Sequence, residues 1–321
     1  MIIHPSKTRD DLAMPMQMNP SPFDRVLSHR ACVAALLSVL AFVTPVHAGP
    51  VLDRIKHSGR IVLAHRESSV PFSYVGADGK PVGYAIDLCM KLAEAVRKKL
   101  ELKAIATEFL PVTPASRIAA VVDGKADLEC GSTTNNAERR QKVAFTIPHY
   151  ITGTRYMVRA DSPIEDLAMF ENRKLVSTKG GTPLKAIESA NRDRMLRINI
   201  LEAPDNAKAV EMVESGAADG FAMDDVQLYG LISGRADPGK LKVVGKFLTI
   251  EALAIMMSKD DPELKQVVDE EMRRLIYSRE AHALYARWFG KPIPPKNRAL
   301  DVPMNYLLKD FWQFPTDWVP N

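Results

Sequence analysis

Residues 122–127 read VDGKAD and residues 214–219 read ESGAAD. Both stretches follow one plan: the end of an amphipathic run, a glycine, one variable residue, Ala-Asp, and then a β-rich run. Gly124 and Gly216 stand where a helix stops, because glycine takes the left-handed conformation there without strain. A polar loop follows each copy, STTNN (residues 132–136) after the first and Asp224-Asp225 after the second. The repeat predicts two similar α/β lobes that face each other. In open α/β sheets the carboxyl ends of the strands hold ligands, so a cleft between the lobes is expected.

Outward from the repeat, short β-rich runs alternate with amphipathic helices, the pattern of a largely parallel sheet. In the first half, strands are expected at Ile61 to Arg66, Ile105 to Val112 and Ala126 to Cys130. Helices are expected at Ile86 to Leu100, with Ile86, Met90, Ala93 and Val96 on one face, and at Ser116 to Val122. The second half predicts strands at Lys174 to Thr178, Ile198 to Glu202, Gly220 to Met223 and Lys242 to Val244. Glu251 to Met257 then returns toward the first lobe. Asp261-Pro262 opens a helix as N-cap and first residue, burying Leu264, Val267, Val268, Met272 and Leu275. Asp269 with Arg273 and Glu270 with Arg274 are spaced as i,i+4 pairs on its solvent side. The tail from Pro292, with Trp312, Phe314 and Trp318, is expected to wrap a lobe.

The 321 residues are 46% hydrophobic and carry a net charge of +4. That composition fits about two globular domains and excludes disorder, collagen and coiled coil. The basic residues are scattered, so no nucleic-acid footprint is expected. Without CxxC or HExxH there is no ligand set for zinc. Arg25, His29 and Arg30 precede a 13-residue apolar run, Ala31 to Val43, and then Val46-His47-Ala48. This reads as a signal peptide over residues 1–48, cleaved before Gly49, because spanning a bilayer takes about 20 residues. Cys32 lies at the wrong end of the run for a lipid anchor. Cys89 and Cys130 remain for an oxidising compartment, either as a disulfide or as two buried thiols.

Four places carry candidate chemistry. Asn135 or Asn136 caps a short helix whose first turn holds Arg139 and Arg140, cations that oppose the helix dipole. A carboxylate among Ser132, Thr134, the free N–H groups and Arg139 would offset that cost; the alternative is a solvated helix start. Gly180-Gly181 leads into Thr182-Pro183, either an anion-binding helix start or a plain turn. Asp225 is expected as an N-cap, leaving Asp224 for an ammonium group. His65 and His149 read as hydrogen-bonded structural histidines. GRADPGKL (residues 234–241) imitates a phosphate-binding loop but lacks the Ser or Thr for Mg²⁺ and runs from helix to strand, the reverse of the required order.

HRESSVPFSY (His65 to Tyr74), ECGSTTNNAER (Glu129 to Arg139), MDD (Met223 to Asp225) and WFGKPIPPKN (Trp288 to Asn297) are in order and similarly spaced. From about Val51 to Asn297 the chain closely resembles the periplasmic glutamate/aspartate-binding proteins of ABC importers, within the polar-amino-acid solute-binding family. The resemblance implies an α/β, two-lobed periplasmic binding protein fold of type II, with two crossover strands. Lobe 1 would comprise residues 49–153 and 253–321, and lobe 2 residues 154–252. The protein would be a periplasmic monomer that closes on one acidic amino acid and docks on a membrane ABC permease, without cofactor, metal or nucleic acid.

Carried over by position, Arg139, Thr134 and Thr178 would hold the ligand α-carboxylate and Asp224 its ammonium. Arg66, Arg117 and Ser132 would hold the side-chain carboxylate. Three positions depart from the pattern: Pro114 replaces a serine, Gly181 a threonine, and Asn206, still counted in the site, a histidine. They leave the choice between glutamate and aspartate open. The competing reading is a periplasmic dehydratase of the cyclohexadienyl type on the same fold, which needs a cleft carboxylate as general acid. Asp224 is its only candidate.

Overall fold

The structure, a computed structural model, describes residues 49–319. The expected signal segment, residues 1–48, lies outside the described residues. Helix α1 (Pro50–Ser58) begins on proline, whose fixed φ suits the first turn, and ends at Gly59 in the left-handed region. Strand β1 (Arg60–His65) leads into a small antiparallel sheet of β2 (Ser68–Ser69), β3 (Ser73–Val75) and β4 (Pro81–Val82). Gly83 follows at φ 140°, where a Cβ would lie 2.2 Å from the Phe72 carbonyl oxygen, so only glycine passes.

Helix α2 (Tyr84–Lys99) buries Ile86, Cys89, Leu92, Ala93 and Val96. Met90, expected on that face, is 43% exposed, because the apolar stripe centres on Cys89, Leu92 and Val96 and leaves Met90 past its edge. Then come β5 (Ala106–Pro111), α3 (Arg117–Val122), β6 (Leu128–Thr134), α4 (Ala137–Arg140), β7 (Val143–Phe145) and β8 (Tyr150–Thr152). The second half contributes β9 (Thr154–Arg159), β10 (Lys174–Thr178), α5 (Thr182–Asp193), β11 (Asn199–Ala203), α6 (Asn206–Glu214), β12 (Gly220–Asp224), α7 (Asp225–Ser233) and β13 (Leu241–Val244). The chain returns through β14 (Glu251–Ser258) to α8 (Pro262–Tyr277), α9 (Glu280–Gly290) and α10 (Tyr306–Phe311).

Two sheets form the two lobes, one ordered β5-β1-β6-β14-β7 and the other β11-β10-β12-β9-β13. In each, a first strand is flanked by two parallel ones, β1 by β5 and β6, β10 by β11 and β12. The next place in each order is taken by an antiparallel strand, β14 or β9, at a crossing between the lobes. The sequence repeat occupies matching places. Asp127 accepts the Val62 N–H and Asp219 the Lys174 N–H, each at 2.8 Å, and each donates its own N–H to the same residue's carbonyl. The Gly-x-Ala-Asp units therefore fasten the third strand of each sheet to the first.

Cys89 of α2 and Cys130 of β6 form a disulfide with Cα atoms 6.0 Å apart. It ties the strand bearing Glu129, Ser132 and Thr134 to the largest core cluster. Asp261 caps α8 as expected, and the five named apolar residues are buried. Neither charge pair expected on α8 forms among the described residues. Asp269 borders the apolar stripe, is buried, and pairs with Lys265, while Arg274 reaches Glu271 and Glu280. The tail lies on the first lobe: the Trp312 indole donates to the Pro148 carbonyl and the Asn305 amide to Ile151, whereas Phe314 and Trp318 are exposed.

Candidate functional site

A central parallel strand is ordinarily a run of apolar residues. Strand β6 instead reads LECGSTT and is buried at all seven positions. Burying polar groups costs free energy unless they are partnered, which marks β6 as a site strand. Its carboxyl end carries Ser132 and Thr134. Arg66 directly follows β1, Thr178 ends β10 and Asp224 ends β12. Arg117 and Asn206 are the first residues of the helices after β5 and β11, and Arg139 lies on α4 after β6. All eight residues thus sit at or just beyond carboxyl ends of parallel strands. None is more than 7% exposed.

The three guanidinium groups decide the electrostatics. Those of Arg66 and Arg117 make no hydrogen bond or ion pair among the described residues, and Arg117 Nε is fully buried and unpartnered. Arg139 donates only to backbone carbonyls, Thr134 at 3.0 Å and Gly180 at 3.3 Å. Burial, with the like charge of Arg117 next, pushes Arg66 down to about 9 and Arg139 down to about 10, and burial also lowers Arg117. None of the three forms an ion pair among the described residues, and the buried carboxylates of Glu129, Asp224 and Glu251 act on them only from a distance; Glu129 Oε1 is itself buried without a hydrogen-bond partner. In Asp224, Oδ2 accepts from Gln227 at 2.7 Å, while Oδ1 is buried without a partner. Burial, then the neighbouring Glu251 carboxylate, raises it well above the usual carboxylate range.

The lobes meet around these groups. Asn206 accepts from Thr178 at 2.8 Å and donates to the Ser68 carbonyl at 3.2 Å and to Gln227 at 3.1 Å. Ser69 bonds to Ser132 in its own lobe and to Gln227 of the other. Gly180 takes φ 80°, and a Cβ there would lie 2.8 Å from the Ala115 Cα, so the second lobe approaches the first backbone to backbone at Pro114-Ala115. One residue beyond Gly181, the Thr182 hydroxyl lies 2.9 Å from that of Thr134 on the facing lobe.

Asn136 is the N-cap of α4, accepting the Arg139 N–H. The other cap differs from expectation: Asp224 holds the N-cap place of α7 without capping through its side chain, and Asp225 is the first helical residue. Asp225 instead accepts the Thr152 hydroxyl at 2.8 Å and its neighbour's N–H. His149 is not hydrogen-bonded through either ring nitrogen. Glu129, Glu251, Ser69 and Gln227 escaped the sequence reading as site residues, and Thr182 entered it only as the start of a helix. Glu129 lay inside the polar strand, and Glu251 looked like an ordinary charge at the head of an apolar run.

Two surface depressions, about 590 Å³ beside Arg159 and Arg235 and about 500 Å³ beside Tyr156 and Arg194, share no residue with this cluster. In the first, Arg235 is paired with Glu214 and Arg159 is bonded to the carbonyls of Val213 and Ala218, so both guanidinium groups are already engaged. No group of three or more metal-ligating side chains occurs among the described residues.

Residues 61–291 match the family model for bacterial extracellular solute-binding proteins, family 3. An L-glutamate/L-aspartate-binding protein of Pseudomonas aeruginosa is 39% identical over 288 residues, 89% of this chain and 95% of that protein. A glutamate/aspartate import solute-binding protein of Escherichia coli K12 is 36% identical over 270 residues, 84% and 89% of the two chains. Among solved structures, ArgBP from T. maritima aligns with TM-score 0.67 at 22% identity, covering 75% of this chain and all of that one. An ancestral amino acid-binding protein, a precursor of cyclohexadienyl dehydratase, aligns with TM-score 0.63 at 26% identity, covering 74% and 98%.

Proposed function

Since the chain belongs to the bacterial extracellular solute-binding proteins, family 3, we propose that it captures glutamate or aspartate between its lobes and delivers it to an ABC permease in the membrane. The observation that carries this reading is a buried cluster of three arginines without an ion-pair partner among the described residues, beside Asp224, whose Oδ1 is free on the facing lobe, with Glu129 as a buried carboxylate among the arginines. An acidic amino acid has two carboxylates and one ammonium, which is the complement. Arg139 suits the α-carboxylate, with Thr178 nearby, and Arg66, Arg117 and Ser132 suit the distal carboxylate. Asp224 Oδ1 suits the ammonium. Asn206, bonded to Thr178 and Gln227, stands beside these groups.

A neutral side chain would leave buried arginines uncompensated, at roughly 2–5 kcal/mol by analogy with truncated charge pairs. The jaws are residues 49–153 with 253–321 and residues 154–252. The exported form is a soluble periplasmic monomer that begins near Gly49. A raised Asp224 would also suit the general acid of a dehydratase, but the curated relatives are named as binding proteins. An ammonium against Oδ1 would restore the ionised form.

The test is equilibrium binding by variants. Losing a charge-assisted hydrogen bond costs about 1.5–3 kcal/mol. Arg139→Ala and Asp224→Ala should therefore weaken glutamate and glutamine alike by roughly tenfold or more. Arg66→Ala should chiefly erode the preference for glutamate over glutamine. Unchanged affinity in either of the first two would remove that residue from the site.

A further inference from the structure

Glu251 opens β14, where the chain returns from the second lobe, and it is 3% exposed. Its carboxylate gathers hydroxyls from four segments. Oε2 accepts from Thr134 at the end of β6, at 2.6 Å, and from Thr182 at the start of α5. Oε1 accepts from Thr249 at 2.7 Å and Thr154 at 3.2 Å, which flank the two crossings between lobes. Thr134 and Thr182 belong to opposite lobes and stand 2.9 Å apart.

A hydroxyl has one hydrogen and two lone pairs, whereas a carboxylate has lone pairs only. The hydrogens of Thr134 and Thr182 are therefore committed to Glu251. What these side chains retain for any further partner is acceptor capacity. Asp224 adds an acceptor oxygen without a donor, and among its charged neighbours Glu251 acts on it most strongly. Such a group of oxygens suits a cation with several N–H bonds and repels a carboxylate.

We propose that Glu251 is a positioning residue for ligand binding: by taking both hydroxyl hydrogens it makes Thr134 and Thr182 acceptors for the ligand ammonium and fastens the two lobes in the closed form. It acts through the threonines and does not touch the ligand. The inference rests on the reading of the cleft as a site for an acidic amino acid, and it moves the Thr134 side chain from the α-carboxylate to the ammonium.

Glu251→Gln keeps the shape but introduces an amide NH₂, which must donate to one hydroxyl pair and turn a hydrogen outward. The probes are glutamate and glutarate, the same diacid without the amine, with glutarate read by displacement of glutamate up to millimolar concentration. The variant should lose at least tenfold in affinity for glutamate and less than twofold for glutarate. Thr182→Val, which leaves Glu251 in place, should repeat the selective loss in smaller measure and serves if Glu251→Gln does not fold. Equal losses for the two probes, or none, would overturn the proposal alone. Wild-type protein that binds neither glutamate nor aspartate would overturn it together with the underlying reading.

Discussion

Arg66, Arg117 and Arg139 illustrate what buried charge implies: desolvation without a hydrogen-bonded ion pair is unfavourable, and the nearby carboxylates of Glu129, Asp224 and Glu251 form none with them. His149 follows the same logic in neutral form. It is fully buried between Phe72 and Tyr84, with ring centroids 5.7 and 5.6 Å away, and burial pushes it down to about 3. The unfolded chain would bind its proton near pH 6.5, so the folded state holds fewer protons below that value. Stability is complete above about pH 6.5 and is lost as pH falls toward 3. Between pH 7 and pH 5 this one group should cost about 2 kcal/mol. Urea unfolding of wild type and His149→Phe at both pH values checks it, and equal changes in the two proteins would contradict it. The raised Asp224 acts in the opposite sense and is common to both.

Elements with a strong local signal were legible from sequence. Strand β10 runs from Lys174 to Thr178 as expected, and Asp261-Pro262 starts α8 because cap and proline chemistry is local. The aspartates of the repeat were legible as a pattern, although their bonds to the first strand of each sheet were not. What stayed hidden depends on partners distant in sequence: the four threonines around Glu251, the burial of Asp269, and the meeting of Cys89 with Cys130. Asp261 shows how one residue joins elements. Its Oδ1 caps α8 at Leu264, while Oδ2 accepts the N–H groups of Val51 and Leu52 at the start of α1, each at 2.9 Å. Asp261→Ala would strip three N–H groups in a buried corner and should destabilise the fold by at least about 2 kcal/mol. Asp261→Asn, which keeps an acceptor at one position, should lose less. Chemical denaturation of the two variants against wild type would show a different order if the corner is hydrated instead.

At the scale of the whole molecule, two lobes of matching topology bring the carboxyl ends of their strands together. Polar groups there lack partners on both lobes: Arg117 Nε and Glu129 Oε1 on the first, and Asp224 Oδ1 on the second. On the proposed reading, closure depends on a ligand bearing both signs of charge. The same reading predicts selectivity, since a second carboxylate would meet Arg66 and Arg117. On that reading Pro114 and Asn206, which remove none of those charges, would bear on glutamate against aspartate rather than on acid against amide. Isothermal titration calorimetry of the exported protein with glutamate, aspartate, glutamine, asparagine and arginine tests this most directly. At least one of the two acids should bind ten times or more tighter than either amide, with arginine weaker still, and tightest binding by a neutral or basic amino acid would contradict the assignment of the arginines.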